Sequence, residues 1–235
     1  MKAMNILVDR KARTLEREVS LRASQWGSPL PGTAFRAWWI RFLEMADVKP
    51  GARVLDIACG TAGMALHLLR LVEPGGRIVC LSFTEAQMER LRAEARLFGL
   101  AIESKIEWRM ATAPRLPFED AQFDVISCAA GVRHLNVPHF AREAHRVLAT
   151  QGRLILTERL LQGTSYDPLL LKMRWAFYRY LRRDPGEADA TLYTADHLAE
   201  LLRAAGFAQV FIRGLERPRF RWWPILSLVR AWKAS

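Results

Sequence analysis

The chain has 235 residues, 51% of them hydrophobic, and a formal net charge of +11. That length suits one α/β domain with additions or two small domains, and the apolar share excludes a disordered chain. The basic excess favours polyanionic partners (nucleic acid, an anionic membrane surface or an acidic ligand), although a solvated basic surface accounts for it equally well.

The cysteines Cys59, Cys80 and Cys128 lack C-x-x-C spacing and fall in or beside predicted strand ends. Buried free thiols in a reducing cytosol explain them better than disulfides or zinc. Lys2, the short apolar stretch Ile6 to Val8 and then Asp9-Arg10-Lys11 do not form a signal peptide. No uncharged run approaches the ~20 residues of a spanning helix. The expected location is cytoplasmic, with peripheral membrane contact as a variant of it.

In chain order, residues 9–25 are Arg-rich with Leu15, Val19 and Leu21 on a helical stripe, and Ser28-Pro29-Leu30-Pro31-Gly32 breaks the chain. Phe35, Trp38, Trp39, Phe42 and Leu43 recur at helical spacing and predict a helix over 33–46. Residues 1–48 are therefore expected to form an N-terminal helical cap on a domain spanning 49–235. After Lys49-Pro50-Gly51, strands are predicted at 53–58, 77–82, 105–109, 123–128 and 153–158. Helices are predicted between them at 62–72, 84–98 and 138–148, with a turn at Gly152. Alternating strands and helices signal βαβ units and a parallel sheet covered on both faces.

The pattern then changes. Residues 167–186 read as an insertion whose helix, 167–183, is dense in Leu, Trp, Phe, Tyr and Arg. Leu170, Met173, Trp175, Phe177, Tyr178 and Leu181 alternate there with Lys172, Arg174, Arg179, Arg182 and Arg183. Such a helix serves as a lid over an apolar substrate, with Trp175 and Tyr178 as substrate contacts, as an interfacial membrane helix, or as a packed edge helix. Thr194 caps a predicted helix at 195–204, Gly206 closes it, and strands are predicted at 207–213 and 225–232.

In open parallel sheets, ligands bind beyond the carboxyl ends of the strands, near the switch in strand order. That directs attention to 58–63, 82–84, 109–113 and 128–135. The stretch V-L-D-I-A-C-G-T-A-G-M at 54–64 is a strand, an acid and a small-residue loop opening into a helix. Ala58, Gly60, Ala62 and Gly63 permit close approach of a ligand to the backbone, and the first helical turn offers unpaired N–H groups and a positive dipole end. By itself such a loop is also an ordinary tight turn.

Together with P-G-G-R-I-V at 74–79, L-P-F-E-D-A-Q-F-D-V-I at 116–126, G-V-R-H at 131–134, R-E-A-H-R-V-L-A-T-Q-G-R-L at 142–154 and L-L-R-A-A-G-F at 201–207, this chain resembles the class I S-adenosylmethionine-dependent methyltransferases. Within them it is most similar to the ubiquinone/menaquinone-biosynthesis C-methyltransferases. The resemblance implies a Rossmann-like α/β fold with a seven-stranded sheet whose last strand is antiparallel. It also implies S-adenosyl-L-methionine as cofactor and Asp56, Ala58, Cys59, Gly60, Thr61, Ala62, Ser82, Phe83, Thr112, Ala113 and Ala129 as the residues around it.

Arg109, Arg115, Arg133 and His134 are the basic residues near these loops. Arg133 and His134 follow the fourth strand, where the family's active-site wall lies, and are the catalytic candidates. His134 serves as a general base or orients a carbonyl oxygen, or else makes a structural hydrogen bond. His67, His139 and His145 fall on predicted helices and read as surface or packing residues. No histidine–carboxylate cluster points to a metal.

The departures from the family pattern concern its grips on the cofactor. Alanines 58 and 62 replace the outer glycines of G-x-G-x-G, Ser82 stands where an acid accepts the ribose hydroxyls, and Thr112 stands where an Asp holds the adenine amino group. Glu85 is a substitute acid for Ser82, or simply an acid favoured in a first helical turn. The implied function is methyl transfer to a small apolar acceptor, a prenylated quinone or related lipid. The alternative is a methyltransferase fold that no longer methylates, binding another ligand, serving as a partner subunit or doing other chemistry on the same cofactor. Nucleic acid is disfavoured as substrate because the chain has no recognisable RNA module and no Pro-Pro-Tyr motif.

Overall fold

The apolar strands Arg53–Ile57, Arg77–Ser82, Phe123–Ala129 and Leu148–Leu160 align in a parallel sheet because most of their side chains are buried on both faces, with helices returning the chain from the first, from the second and into the last. The computed structural model describes residues 40–57, 62–96, 104–111, 115–129, 131–161, 168–181, 183, 188–215 and 225–234. In chain order these hold a helical stretch at 40–46, β1 (Arg53–Ile57), α1 (Ala62–Val72), β2 (Arg77–Ser82), α2 (Glu85–Arg96), β3 (Ile106–Met110) and β4 (Phe123–Ala129). A 3-10 turn (Val132–His134) follows, then α3 (Val137–Val147), β5 (Leu148–Leu160), α4 (Pro168–Ala176), a π turn (Phe177–Leu181), α5 (Ala195–Ala204), β6 (Phe207–Gly214) and β7 (Ile225–Lys233).

The seven-stranded sheet has the order β3-β2-β1-β4-β5-β7-β6. β7 lies between β5 and β6 and runs antiparallel to both, and the other neighbouring pairs are parallel. The order reverses between β1 and β4, so their carboxyl ends form the switch-point crevice.

A separate core covers each face of the sheet. Leu55, Ile126, Leu154 and Val229 pack under Phe140, Ala144, Leu198 and Leu202 of α3 and α5. On the other face Val54, Ile78 and Val125 pack with Met64 and Leu68 of α1 and with Phe42 and Ala46. The 40–46 stretch is thereby part of the domain core. Arg153 fastens its end, with Nη2 donating to the Asp47 carbonyl at 2.5 Å and Nη1 lying 3.4 Å from its carboxylate. Cys80 and Cys128 are buried free thiols, as expected, whereas Cys59 lies outside the described residues.

Two elements differ from expectation. β5 is longer than 153–158, because Phe123 pairs with Leu148 while Val125 already pairs with Arg153. Residues 149–152 therefore bulge out of the ladder, with Gln151 at φ 61°, and the turn anticipated at Gly152 lies inside one strand. At its other end β5 is prolonged by antiparallel pairing as far as Leu160 with Ile225. The helix expected over 167–183 is α-helical only to Ala176. The π turn that follows places Trp175 and Tyr180, five residues apart, in an edge-to-face contact at 5.7 Å.

Gly206 ends α5 at φ +104°, and a Cβ there would meet His145 Nε2 at 2.9 Å. The imidazole is held edge-on to Phe207, with ring centroids 5.3 Å apart. Gly206→Ala is expected to destabilise the fold by about 1–2 kcal/mol, from left-handed strain before any crowding is added. A lower urea midpoint with an unchanged m-value is the result that checks this.

Candidate functional site

At the end of β1, Asp56 is a buried carboxylate facing β4. Ser127 Oγ donates to its Oδ1 at 2.6 Å, and the parallel register sets the two residues side by side. A buried acid is tolerated only when it is hydrogen-bonded. The Ser127 bond fixes this carboxylate at the end of β1, at the switch point. Ala58, Cys59, Gly60 and Thr61, and the side chain of Ala62 at the start of α1, lie outside the described residues.

The end of β2 is arranged differently from the expectation. Ser82 is 0% exposed. Its hydroxyl donates toward Gln87 Oε1 at 2.9 Å and the Thr84 carbonyl at 3.1 Å. Thr84 Oγ1 in turn accepts the Gln87 N–H at 3.3 Å, so Thr84 and Gln87 form half of a capping box on α2. The Thr84 N–H, the donor of the other half, reaches Ser82 Oγ at 3.4 Å. Half-buried Gln87 thus stands between Ser82 and solvent at this strand end, beside exposed Thr84. Glu85 is exposed in the first turn of α2. Phe83 is half-buried against the core under α3, and the Ala111 N–H donates to the Ser82 carbonyl at 3.1 Å. Thr112 and Ala113 lie outside the described residues.

Beyond β4, half-buried Ala129 precedes the 3-10 turn that carries Arg133 and His134. These two neighbours part company. His134 is exposed. Arg133 turns inward, its Nη1 3.4 Å from Glu158 Oε1, while its backbone N–H donates to Glu158 Oε2 at 2.9 Å. Glu158 also accepts the Arg159 N–H at 2.7 Å. Arg133 thus anchors the turn that presents His134. The Thr191 N–H donating to the Arg133 carbonyl at 3.0 Å ties the turn to the segment after the insertion.

Among the described residues, Arg146 and Glu143 supply the side-chain hydrogen bonds that fasten the 115–122 loop to α3. Arg146 donates to the carbonyls of Phe118 at 2.8 Å and Leu116 at 3.1 Å, and to Asp120 and Glu143. Glu143 accepts the Leu116 N–H at 2.9 Å. Arg146 beside it, followed by the Leu116 N–H, holds the Glu143 carboxyl below the usual range despite partial burial. Arg109 is engaged by Glu107 at 2.6 Å, and with Arg115 and Phe118 it lines an open groove at the β3 edge. In the insertion, the Trp175 indole N–H donates to Asp189 at 3.3 Å and Arg174 lies over the Tyr178 ring at 4.7 Å.

Sequence reasoning missed Ser127, Gln87, Glu158 and the Glu143–Arg146 pair. Two of them carried a signal: Ser127 and Glu158 are polar residues at or beside the apolar runs Val125-Ile126 and Leu154-Ile155-Leu156. Of the two readings given for His67, surface or packing, burial supports packing, and that burial, with Arg70 adding to it, lowers its pKa to about 4.

The residues described fit an adenosyl cofactor. A ribose diol needs acceptors, and the Gln87 amide oxygen, which takes the Ser82 hydroxyl at 2.9 Å, is an acceptor at the strand end where the family usually has a carboxylate.

Solved structures share this fold. A [4+2]-cyclase, SpnF, superposes with TM-score 0.67 at 19% identity over 84% of this chain and 80% of its own. An S-adenosylmethionine-dependent methyltransferase from Aquifex aeolicus gives 0.59 at 20% identity, over 83% of this chain and 88% of its own. In sequence, a demethylmenaquinone methyltransferase from Bacillus cytotoxicus is 31% identical over 150 residues, 63% of this chain and 59% of that protein. A ubiquinone/menaquinone biosynthesis C-methyltransferase from Pseudomonas entomophila is 36% identical over 146 residues, 59% of this chain and 56% of that protein. The chain thus spans somewhat over half the length of these relatives. The ubiE/COQ5 methyltransferase family profile matches residues 32–181, which include every strand end described above except those of β6 and β7. With the sheet order and the switch-point site in agreement, the chain belongs to the ubiE/COQ5 methyltransferase family.

Proposed function

We propose that the chain transfers a methyl group from S-adenosylmethionine to a small apolar acceptor, a quinone-type ring being the class its relatives' names suggest. The observation that carries the reading is the buried Asp56–Ser127 pair at the β1/β4 switch point. S-adenosylmethionine supplies an electrophilic methyl group with a good leaving group, so the chain's own work is to bind, align and exclude water. Asp56, bonded to Ser127, fixes the end of β1, and Gln87, seated on Ser82, receives the ribose hydroxyls. Glu158 and Arg133 hold the 3-10 turn, and His134 on that turn takes a proton from the acceptor or orients its oxygen. Titration calorimetry with S-adenosylhomocysteine tests the cofactor, and transfer of labelled methyl to a demethylated quinone analogue tests the acceptor. No binding at millimolar ligand ends the reading.

A non-methylating use of the same fold is the second reading, favoured by the neutral Ser82–Gln87 end. Cofactor binding without methyl transfer to any quinone analogue would select it. The neutral end also gives a prediction. Gln87→Glu places a carboxylate where the amide sits, at a helix N-terminus that favours it. A hydrogen bond to a charged acceptor exceeds a neutral one by about 1 kcal/mol. The variant is expected to bind S-adenosylhomocysteine roughly fivefold to tenfold more tightly. Unchanged affinity would place the ribose elsewhere.

A further inference from the structure

After β5, the next described elements are α4 and its π turn, and there the burial pattern inverts. Leu169 is 66% exposed, Met173 60%, Tyr180 68% and Leu181 75%, with Trp175 and Phe177 also exposed. This excludes the packed edge helix among the three expected roles. Isolated exposed apolar residues are ordinary, but a contiguous run of large ones marks an interaction surface.

Cations interleave with this run: Lys172, Arg174, Arg179 and Arg183. Asp189 stands against it, bonding the Trp175 indole and lying 3.9 Å from Arg179. The same 188–194 segment reaches the Arg133 carbonyl through Thr191 and pairs with Leu161 at the end of β5. The patch therefore stands on the rim of the candidate site. None of the helices among the described residues is long and apolar enough to cross a membrane.

We propose that this exposed face of α4 and the π turn docks on an anionic lipid membrane. Its apolar and aromatic side chains enter the headgroup boundary and its lysine and arginines meet the lipid phosphates. Basic and aromatic side chains together, at low overall hydrophobicity, suit the interface plane of a bilayer. A second copy of the chain is the poorer occupant. A two-fold contact sets the patch against itself and brings its cations together. A lid turned inward would bury these side chains, whereas they face outward. The docking itself stands apart from the methyltransferase reading. What rests on that reading is its use, since an apolar acceptor dissolved in the bilayer then reaches the strand ends without crossing water.

The test is sedimentation of the whole chain with vesicles of phosphatidylcholine alone or mixed with phosphatidylglycerol. Binding is expected only with the anionic vesicles, weakening as salt rises. Combined Met173→Ser, Phe177→Ser and Leu181→Ser is expected to lower the partition coefficient at least about tenfold, and so is Lys172→Glu with Arg183→Glu. S-adenosylhomocysteine affinity, measured in parallel, should be unchanged in both variants and reports that each is folded. Failure to bind anionic vesicles at low salt overturns the proposal. So does wild-type vesicle binding by both variants, which would move the contact to other basic residues such as those of 9–25. Variants that convert a dimer to a monomer with no change on vesicles would assign the face to a second copy. Vesicle binding in a chain that binds no S-adenosylhomocysteine leaves the docking standing and removes the methyltransferase reading.

Discussion

Lowering the pH from 6.5 to 4 is expected to destabilise the fold by about 3 kcal/mol through His67 alone, at about 1.36 kcal/mol per pKa unit. Burial within α1, with Arg70 adding to it, lowers the imidazole pKa from 6.5 to about 4. Above 6.5 the side chain is neutral in both folded and unfolded chains and contributes no pH dependence. Between 6.5 and 4 the unfolded chain takes up a proton that the folded chain refuses, so stability falls with pH. The depressed carboxylates act in a lower window. Asp47 is lowered by Lys49 and Arg153 against partial burial, and Glu143 by Arg146 against partial burial. Burial raises Asp124, but its bonds to Arg53 outweigh that and leave it lowered. Their stabilisation is present above the unfolded carboxylate values and is lost as pH falls through the folded ones, below about 4. Urea unfolding at pH 7 and pH 4.5 of the wild type and of His67→Gln separates the two windows. The variant should lose less stability over that interval, and an equal loss would show that His67 does not titrate as described.

Arg146→Ala is expected to lower stability by about 2–3 kcal/mol, the scale of removing charge-assisted hydrogen bonds from a partly buried network. The guanidinium reaches the carbonyls of Leu116 and Phe118 and the carboxylates of Asp120 and Glu143. Arg146→Lys should recover only part of the loss, because an ammonium on a single stem cannot reproduce the planar fork. The effect has a local signature. Leu116 donates its N–H to Glu143, so its amide should exchange with solvent faster in both variants. Lost stability without faster exchange at Leu116 would show that the pair does not hold the loop. Because residues 112–114 lead into this loop, weaker S-adenosylhomocysteine binding should accompany its loosening.

The alternation of short apolar strands with helices was legible from composition and period, because a strand buried on both faces admits few polar residues. The helix caps at Thr194 and Gly206 were legible for equally local reasons: a hydroxyl accepts the His197 N–H at 3.2 Å, and only glycine is at ease at φ +104°. The bulge at 149–152 was not, since it arises from the register between β4 and β5, a property of two strands. Nor was the end of the α-helix at Ala176, where the aromatic contacts accompany a wider turn.

The candidate site divides along the same line. The Asp56 loop, the replacement of an acid by Ser82 and the Arg133-His134 pair stand in the sequence as residue types at fixed positions. Their roles were set by neighbours distant in the chain. Ser127, 71 residues from Asp56, holds that carboxylate, Glu158 draws Arg133 inward, and Gln87 covers Ser82. Sequence by itself determined the fold class, the place of the switch point and the presence of Ser82 in place of an acid at the end of β2, because these follow from local pattern and side-chain chemistry. Tertiary structure alone decided which polar groups are reachable and which are consumed by one another, and that the aromatic insertion faces outward, because burial and hydrogen-bond pairing are properties of surfaces brought together only by folding.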